Sequence, residues 1–123
     1  MNTPTPLIEV EKLEAWYGRR RILHGVDFSV NAGEIRVIMG GSGSGKSTLL
    51  RHMLGLNRPA GGTIKLFGVD MARASEREKL DVRKRIGVSF QGGALLTSMT
   101  VGDNVALPLR EHTRLDEQTI RIM

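Results

Sequence analysis

The sequence predicts an α/β fold in which an antiparallel pair of strands leads into a buried strand, a glycine loop and a helix. Three observations carry this. Residues 7–17 and 22–30 show strand-like patterning, with Ile8 and Val10 against Leu7, Glu9 and Glu11, and with Val26, Phe28 and Val30 on one side. Residues 35–39, IRVIM, form a short run that is apolar except for Arg36, as a largely buried strand would be. The stretch GGSGSGKST at 40–48 then separates that run from Leu49, Leu50, Met53 and Leu54, which recur at helical spacing.

Each remaining element follows from a local signal. Gly18-Arg19-Arg20-Arg21 breaks the first alternation, and Asn31-Ala32-Gly33 turns the chain after the second strand. Gly55 and Pro59 stop the first helix, and Gly61-Gly62 turn the chain into a strand over 63–67. Ser75 with Glu78 forms a capping box that opens a mostly polar helix through about Arg85. Residues 86–90 read as another buried strand, ending at Gln91. Thr100 with Asp103 starts a helix to about Leu107, ahead of Pro108, and Asp116 starts the last helical stretch.

Composition narrows the possibilities. The chain has 123 residues with 40% hydrophobic content, enough for one modest domain. No apolar run approaches the roughly 18 residues that a membrane-spanning helix needs, and MNTPTPLIEVEK lacks a basic start and an apolar core of the export type. Zero cysteines exclude disulfides and thiolate metal sites, so a cytoplasmic location is expected. The formal charge is +5, with clusters at Arg19, Arg20, Arg21 and at Arg83, Lys84, Arg85. Single-strand nucleic-acid binders interleave such groups with stacking aromatics, whereas this chain has one Trp, one Tyr and three Phe. The clusters therefore read as a solvated turn and a helix end, with no direct nucleic-acid contact.

The stretch 40–48 carries the chemistry. Gly40-x-x-x-x-Gly45-Lys46-Ser47 fits the phosphate-binding P-loop pattern, set between a strand and a helix as that pattern requires. Glycines let successive backbone N–H groups approach phosphate oxygens without an intervening Cβ. The same amides lie at a helix N-terminus, whose dipole favours an anion. The expected nucleotide-binding set is Gly41, Ser42, Gly43, Ser44, Gly45, Lys46, Ser47 and Thr48. In this set Lys46 reaches the β- and γ-phosphates, Ser47 ligates Mg²⁺ and Thr48 bonds the α-phosphate. The pattern by itself does not separate kinases, GTPases and transport ATPases.

The stretch from Val10 to Leu56, continued by PAGGTIKLFGVD and RIGVSFQ, resembles the nucleotide-binding domain of ABC transporters over essentially the whole chain. The resemblance implies a P-loop NTPase core of the ABC ATPase kind with an N-terminal antiparallel β subdomain. Its expected parts are an antiparallel segment at 1–33, the P-loop core at 34–91 and the start of a helical subdomain at 92–123. It also implies that Tyr17 stacks on adenine and that Gln91, in VSFQ, brings its amide oxygen toward Mg²⁺ on a loop that moves with a membrane partner. Gly41 stands where the family often has proline, which loosens the loop without removing a donor.

Gly92-Gly93-Ala94-Leu95-Leu96 and Pro108-Leu109-Arg110-Glu111-His112-Thr113 look like the ATPase subunit of Mla-type phospholipid transporters. This implies an integral permease as partner, a second ATPase copy closing head to tail over two ATP molecules, and STAS-domain and MCE-domain subunits. The location implied is the inner face of the inner membrane. Leu95, Leu96 and Met99 would suit a permease helix if exposed, or pack inward under the helical subdomain. The ATPase subunit of another ABC importer or exporter, or a soluble ABC ATPase acting on nucleic acid, are the alternative readings.

Hydrolysis requires a carboxylate that orients water. In this family that carboxylate ends an apolar strand in Asp-Glu, preceded by an LSGGQ-type segment and followed by a lone His. Here Asp116-Glu117 lies in a polar stretch, Gln91-Gly92-Gly93 lacks the Leu-Ser lead, and His24, His52 and His112 stand elsewhere. The expectation is an N-terminal portion of an ATPase, with no catalytic group of its own, that binds nucleotide without turnover.

Overall fold

The computed structural model describes residues 5–123, so the expected first segment, 1–33, begins outside the described residues. The chain separates into two compact units, Met1–Arg85 and Ile86–Met123. The first is built on a four-stranded sheet of order β2-β1-β3-β4, formed by β1 (Ile8–Tyr17), β2 (Arg20–Val30), β3 (Gly61–Leu66) and β4 (Val69–Asp70). All of its pairings are antiparallel. β1 is the central strand of the three long ones, and it supplies Val10, Leu13 and Ala15 to the core alongside Leu23 from β2 and Ile64 and Leu66 from β3.

The buried side of β1 changes parity between Val10 and Leu13. The cause is a bulge around Lys12, which takes φ 47° and donates its N–H to Asp27 Oδ1 at 2.8 Å. A bulge inserts one residue and moves every later side chain to the other face. Gly62 lies against it, and a Cβ there would meet the Lys12 carbonyl oxygen. The Gly61-Gly62 pair therefore belongs to β3 and is not the turn before it, because only glycine permits that approach.

Helix α1 (Lys46–Met53) buries Leu49 and His52. His52 Nδ1 lies 2.7 Å from the Thr48 carbonyl oxygen, which can only accept, so the ring carries its proton there. Helix α2 (Glu76–Arg83) opens with the expected capping box: Glu78 N–H donates to Ser75 Oγ at 3.2 Å and Ser75 N–H donates to Glu78 Oε2 at 2.7 Å. Arg83, in its last turn, donates to the carbonyls of Leu54 and Gly55 at 3.0 and 3.1 Å. A guanidinium thus satisfies carbonyls at the negative end of α1 and ties the two helices together.

The expected buried strands at 35–39 and 86–90 are corrected by the structure. Residues 35–39 pair with no strand among the described residues, and all are exposed, Ile35 to 91%. Residues 86–90 likewise join no ladder there, and Val88 and Phe90 are exposed. The apolar pattern reports which face wants burial, but a strand exists only when a neighbour supplies the hydrogen bonds.

In the second unit, helix α3 (Val101–His112) runs through Pro108, not ending before it as expected, and is followed by helix α4 (Glu117–Ile122). Proline costs the helix one N–H, and the helix nevertheless continues past it. Arg110 donates to Asp103 at 3.1 Å and in a fork to both oxygens of Glu117 at 2.8 and 2.9 Å. Asn104 fixes the segment ahead of the helix, accepting from Leu96 N–H at 2.7 Å and donating to the carbonyls of Leu96 and Thr100.

The Thr100 hydroxyl, and then Arg110, hold the Asp103 carboxyl below the usual carboxylate range, and Arg110 does the same for Glu117. Carboxylates depressed in the folded state add stability above the unfolded pKa of about 4 and lose it as pH falls through the folded value. Helical signal from residues 101–122, followed by NMR, is expected to hold from neutral pH to about 4 and to fall below it. Invariance down to pH 2 would show that the Arg110 network is not what secures these helices. In the first unit, Leu13 is fully buried, so Leu13→Ala is expected to cost about 2–5 kcal/mol in urea unfolding.

Candidate nucleotide site

The site is the loop at 40–48 and the first turn of α1. Gly45 is the N-cap, in a left-handed conformation with φ 102° and ψ 12°, and no side chain caps the helix. The first-turn N–H groups of such a helix have no intrahelical partner, and the turn contains no acidic residue. It is therefore open to an anion. Ser44 N–H donates to the Gly41 carbonyl at 3.1 Å and Leu49 N–H donates to the Gly45 carbonyl at 2.8 Å, so the loop closes on itself and passes directly into the helix.

Lys46 is bound within this loop. Its ammonium donates to the Gly40 carbonyl, to the Gly41 carbonyl at 2.8 Å and to Ser44 Oγ at 3.3 Å. Three donors thus meet three oxygens of the loop that precedes the helix. A Cβ on Gly40 would sit 2.5 Å from Ser44 Oγ, and one on Gly45 would sit 2.8 Å from Ile22 Cγ2 and 3.1 Å from Leu23 Cδ2. At Gly41 and Gly43 the corresponding positions are open. The two outer glycines are thus required by close packing, and the inner ones leave room beside the amides.

This geometry fits a polyphosphate with a magnesium ion. The amides and the ammonium supply positive potential without a competing carboxylate, and Ser47, in the first turn of α1, offers a hydroxyl. Among the described residues no cluster of three or more His, Cys, Asp or Glu could hold a metal. One hydroxyl with phosphate oxygens and water suits Mg²⁺, which keeps much of its hydration and takes few protein ligands.

The contact of Gly45 with Ile22 and Leu23 places the β1–β2 hairpin beside the loop. Leu23 pairs with Ala15, and Tyr17 lies two residues further along β1. At about 3.3 Å per residue, Tyr17 stands about 7 Å along the strand from that packing point. It ends β1 and is 83% exposed, leaving its ring face available for stacking. Gln91 belongs to the second unit, where it is exposed at the start of a turn that follows residues 86–90. Leu95 and Leu96 are exposed in the same unit, and Met99 is half-buried.

The family profile described as ABC transporter matches residues 23–123. The chain belongs to the ABC transporter family. Among its relatives, the intermembrane phospholipid transport system ATP-binding protein MlaF of Haemophilus influenzae is 48% identical over 115 residues, covering 94% of this chain and 44% of MlaF. The probable ribonucleotide transport ATP-binding protein mkl of Mycobacterium leprae is 45% identical over 114 residues, covering 93% of this chain and 33% of that protein. The dimeric post-hydrolysis structure of the ATP-binding cassette MJ0796, bound to ADP and Pi, matches with a TM-score of 0.83 at 28% identity. It covers 94% of this chain and 53% of that one. This ABC chain therefore spans between a third and about half of the length of these three proteins, and it has the fold of the ABC ATPases.

The strain at Gly45 gives a local test. Gly45→Ala must hold an L-residue at φ 102° against Ile22, and is expected to lower stability by about 1–3 kcal/mol. Gly41→Ala faces open space and is expected to stay within about 0.5 kcal/mol. Urea midpoints of the two variants, compared with the parent, decide it: equal shifts would mean that Gly45 is not packed on β2.

Proposed function

We propose that the loop at 40–48 binds the triphosphate of ATP together with Mg²⁺, and that the chain is the ATP-binding part of a membrane transporter. The observation that carries this reading is the Lys46 ammonium, held by Gly40, Gly41 and Ser44 at the acid-free N-terminus of α1. In this reading the segment from Gly41 to Gly45 surrounds the β-phosphate, with the Ser44 N–H turning to it from the Gly41 carbonyl. Lys46 moves from its carbonyl partners to the β- and γ-phosphates. Ser47 serves Mg²⁺, Thr48 the α-phosphate and Tyr17 the adenine. Magnesium, when bound, neutralises charge between the β- and γ-phosphates.

The transported substrate in this proposal is phospholipid, with the Mla-type system as the setting. The 48% identity to MlaF supports it, as do the segments Gly92–Leu96 and Pro108–Thr113. The partners follow from the setting: an integral permease, a second ATPase copy and STAS-domain and MCE-domain subunits, at the cytoplasmic face of the inner membrane. No helix of the described residues is long and apolar enough to cross a membrane. The whole protein is proposed to hydrolyse ATP, and these 123 residues to bind it without turnover, because they contain no strand-end Asp-Glu pair. The ATPase subunit of a different ABC transporter is the second reading, favoured by the 45% identity to mkl.

Calorimetric titration with MgATP tests the site. Lys46→Ala removes the ammonium and is expected to weaken binding at least about tenfold. Equal affinity of the two forms would refute the loop assignment. For the substrate, the intact subunit with its permease in proteoliposomes should show ATP-dependent transfer of labelled phospholipid; nucleotide-driven uptake of ribonucleotide with no lipid transfer would favour the second reading.

A further inference from the structure

The three arginines that follow Gly18 do different things. Arg21 is opposite Trp16 and pairs with Glu14, so it belongs to the face of the hairpin that carries Glu14 and Trp16. Arg19 sits in the two-residue turn with Gly18. Arg20 is opposite Tyr17 in the ladder. The register shifts after Leu13 and after Ala15 put their extra residues, Gly25 and Ile22, on β2, so alternation along β1 is kept: Tyr17 shares the face of Ala15 and Leu13, which are buried, and directly opposed residues share a face. Leu23, partner of Ala15, is a residue on which Gly45 packs. Tyr17 and Arg20 therefore stand together on the loop side of the hairpin, their Cβ atoms about 4.5–5.5 Å apart. Arg20 is exposed, and among the described residues no ion pair involves it.

We propose that Arg20 is a further binding residue of the nucleotide site, placing its guanidinium on the phosphate chain of the nucleotide whose base meets Tyr17. The proposal rests on the ATP reading of the loop and deepens it. A guanidinium borne on the hairpin pair about 7 Å along the strand from the Leu23 packing point, beside the aromatic and with no ion pair among the described residues, is suited to a phosphate oxygen. Arg21, by contrast, is consumed by Glu14 on the other face. The hairpin would thus contribute one flat ring and one cation to the same ligand, and the affinity due to Arg20 should grow with the number of phosphates.

The test is competition of ATP, ADP, AMP and adenosine against a fluorescent ATP analogue in Mg²⁺, for the parent chain, R20Q, R20K, R19Q and K46A. R20Q is expected to weaken ATP roughly fivefold or more while changing adenosine less than about twofold, with R20K recovering part of the loss. R19Q, in the turn, is expected to stay within about twofold for every ligand. Circular dichroism of each variant should match the parent. Three results would overturn the contact: R20Q matching the parent for ATP while K46A fails to bind, equal losses in R19Q and R20Q, or equal losses for adenosine and ATP. Failure of the parent chain itself to bind ATP would instead bring down the nucleotide reading on which the contact rests.

Discussion

The close approach of Gly45 to Ile22 and Leu23 is the constraint on which the functional end of the first unit depends. There is no room for a Cβ between the start of α1 and the β1–β2 hairpin, and the backbone at that point is left-handed. One glycine therefore sets two relationships. It aims the first-turn amides of α1 into the loop, and it brings the strand carrying Tyr17 to the loop's side. A bulkier residue would have to push the helix off the sheet or abandon the loop conformation, and either change disperses the donors that make the site.

The polar contacts of the first unit are arranged around that point. Lys46 binds carbonyls ahead of the helix, His52 binds the Thr48 carbonyl inside it, and Arg83 covers the carbonyls at its far end. Helix α1 is only eight residues long, too short to be stable on propensity alone. Its far end is held by Arg83 from α2, and its N-terminus is free of any side-chain cap. In the second unit the links between elements are charged: Arg110 joins Asp103 on α3 to Glu117 on α4.

Much of the fold was legible because its signals are local. Ser75 with Glu78, Thr100 and Asp116 each read as helix starts, and the structure gives each of them the expected cap hydrogen bond. The hairpin of β1 and β2 was legible from its alternation. The bulge at Lys12 was not, since it arises where Asp27 and Gly62, distant in sequence, meet the strand. Pro108 misled because its cost to a helix is a local signal, whereas the chain around it stays helical from Val101 to His112.

The sequence by itself determined the pattern on which the proposed phosphate loop rests, because the glycine spacing, the lysine and the hydroxyls lie in one contiguous stretch. It also determined the cap positions and the apolar character of 35–39 and 86–90. Only the tertiary structure decided that those two apolar runs stand outside any ladder among the described residues, that β1 changes its buried side midway, and that Arg20 and Arg21 look to opposite faces. Those outcomes depend on which distant segment supplies a hydrogen bond or a packing surface, and a pattern of residue types along the chain does not record the partner.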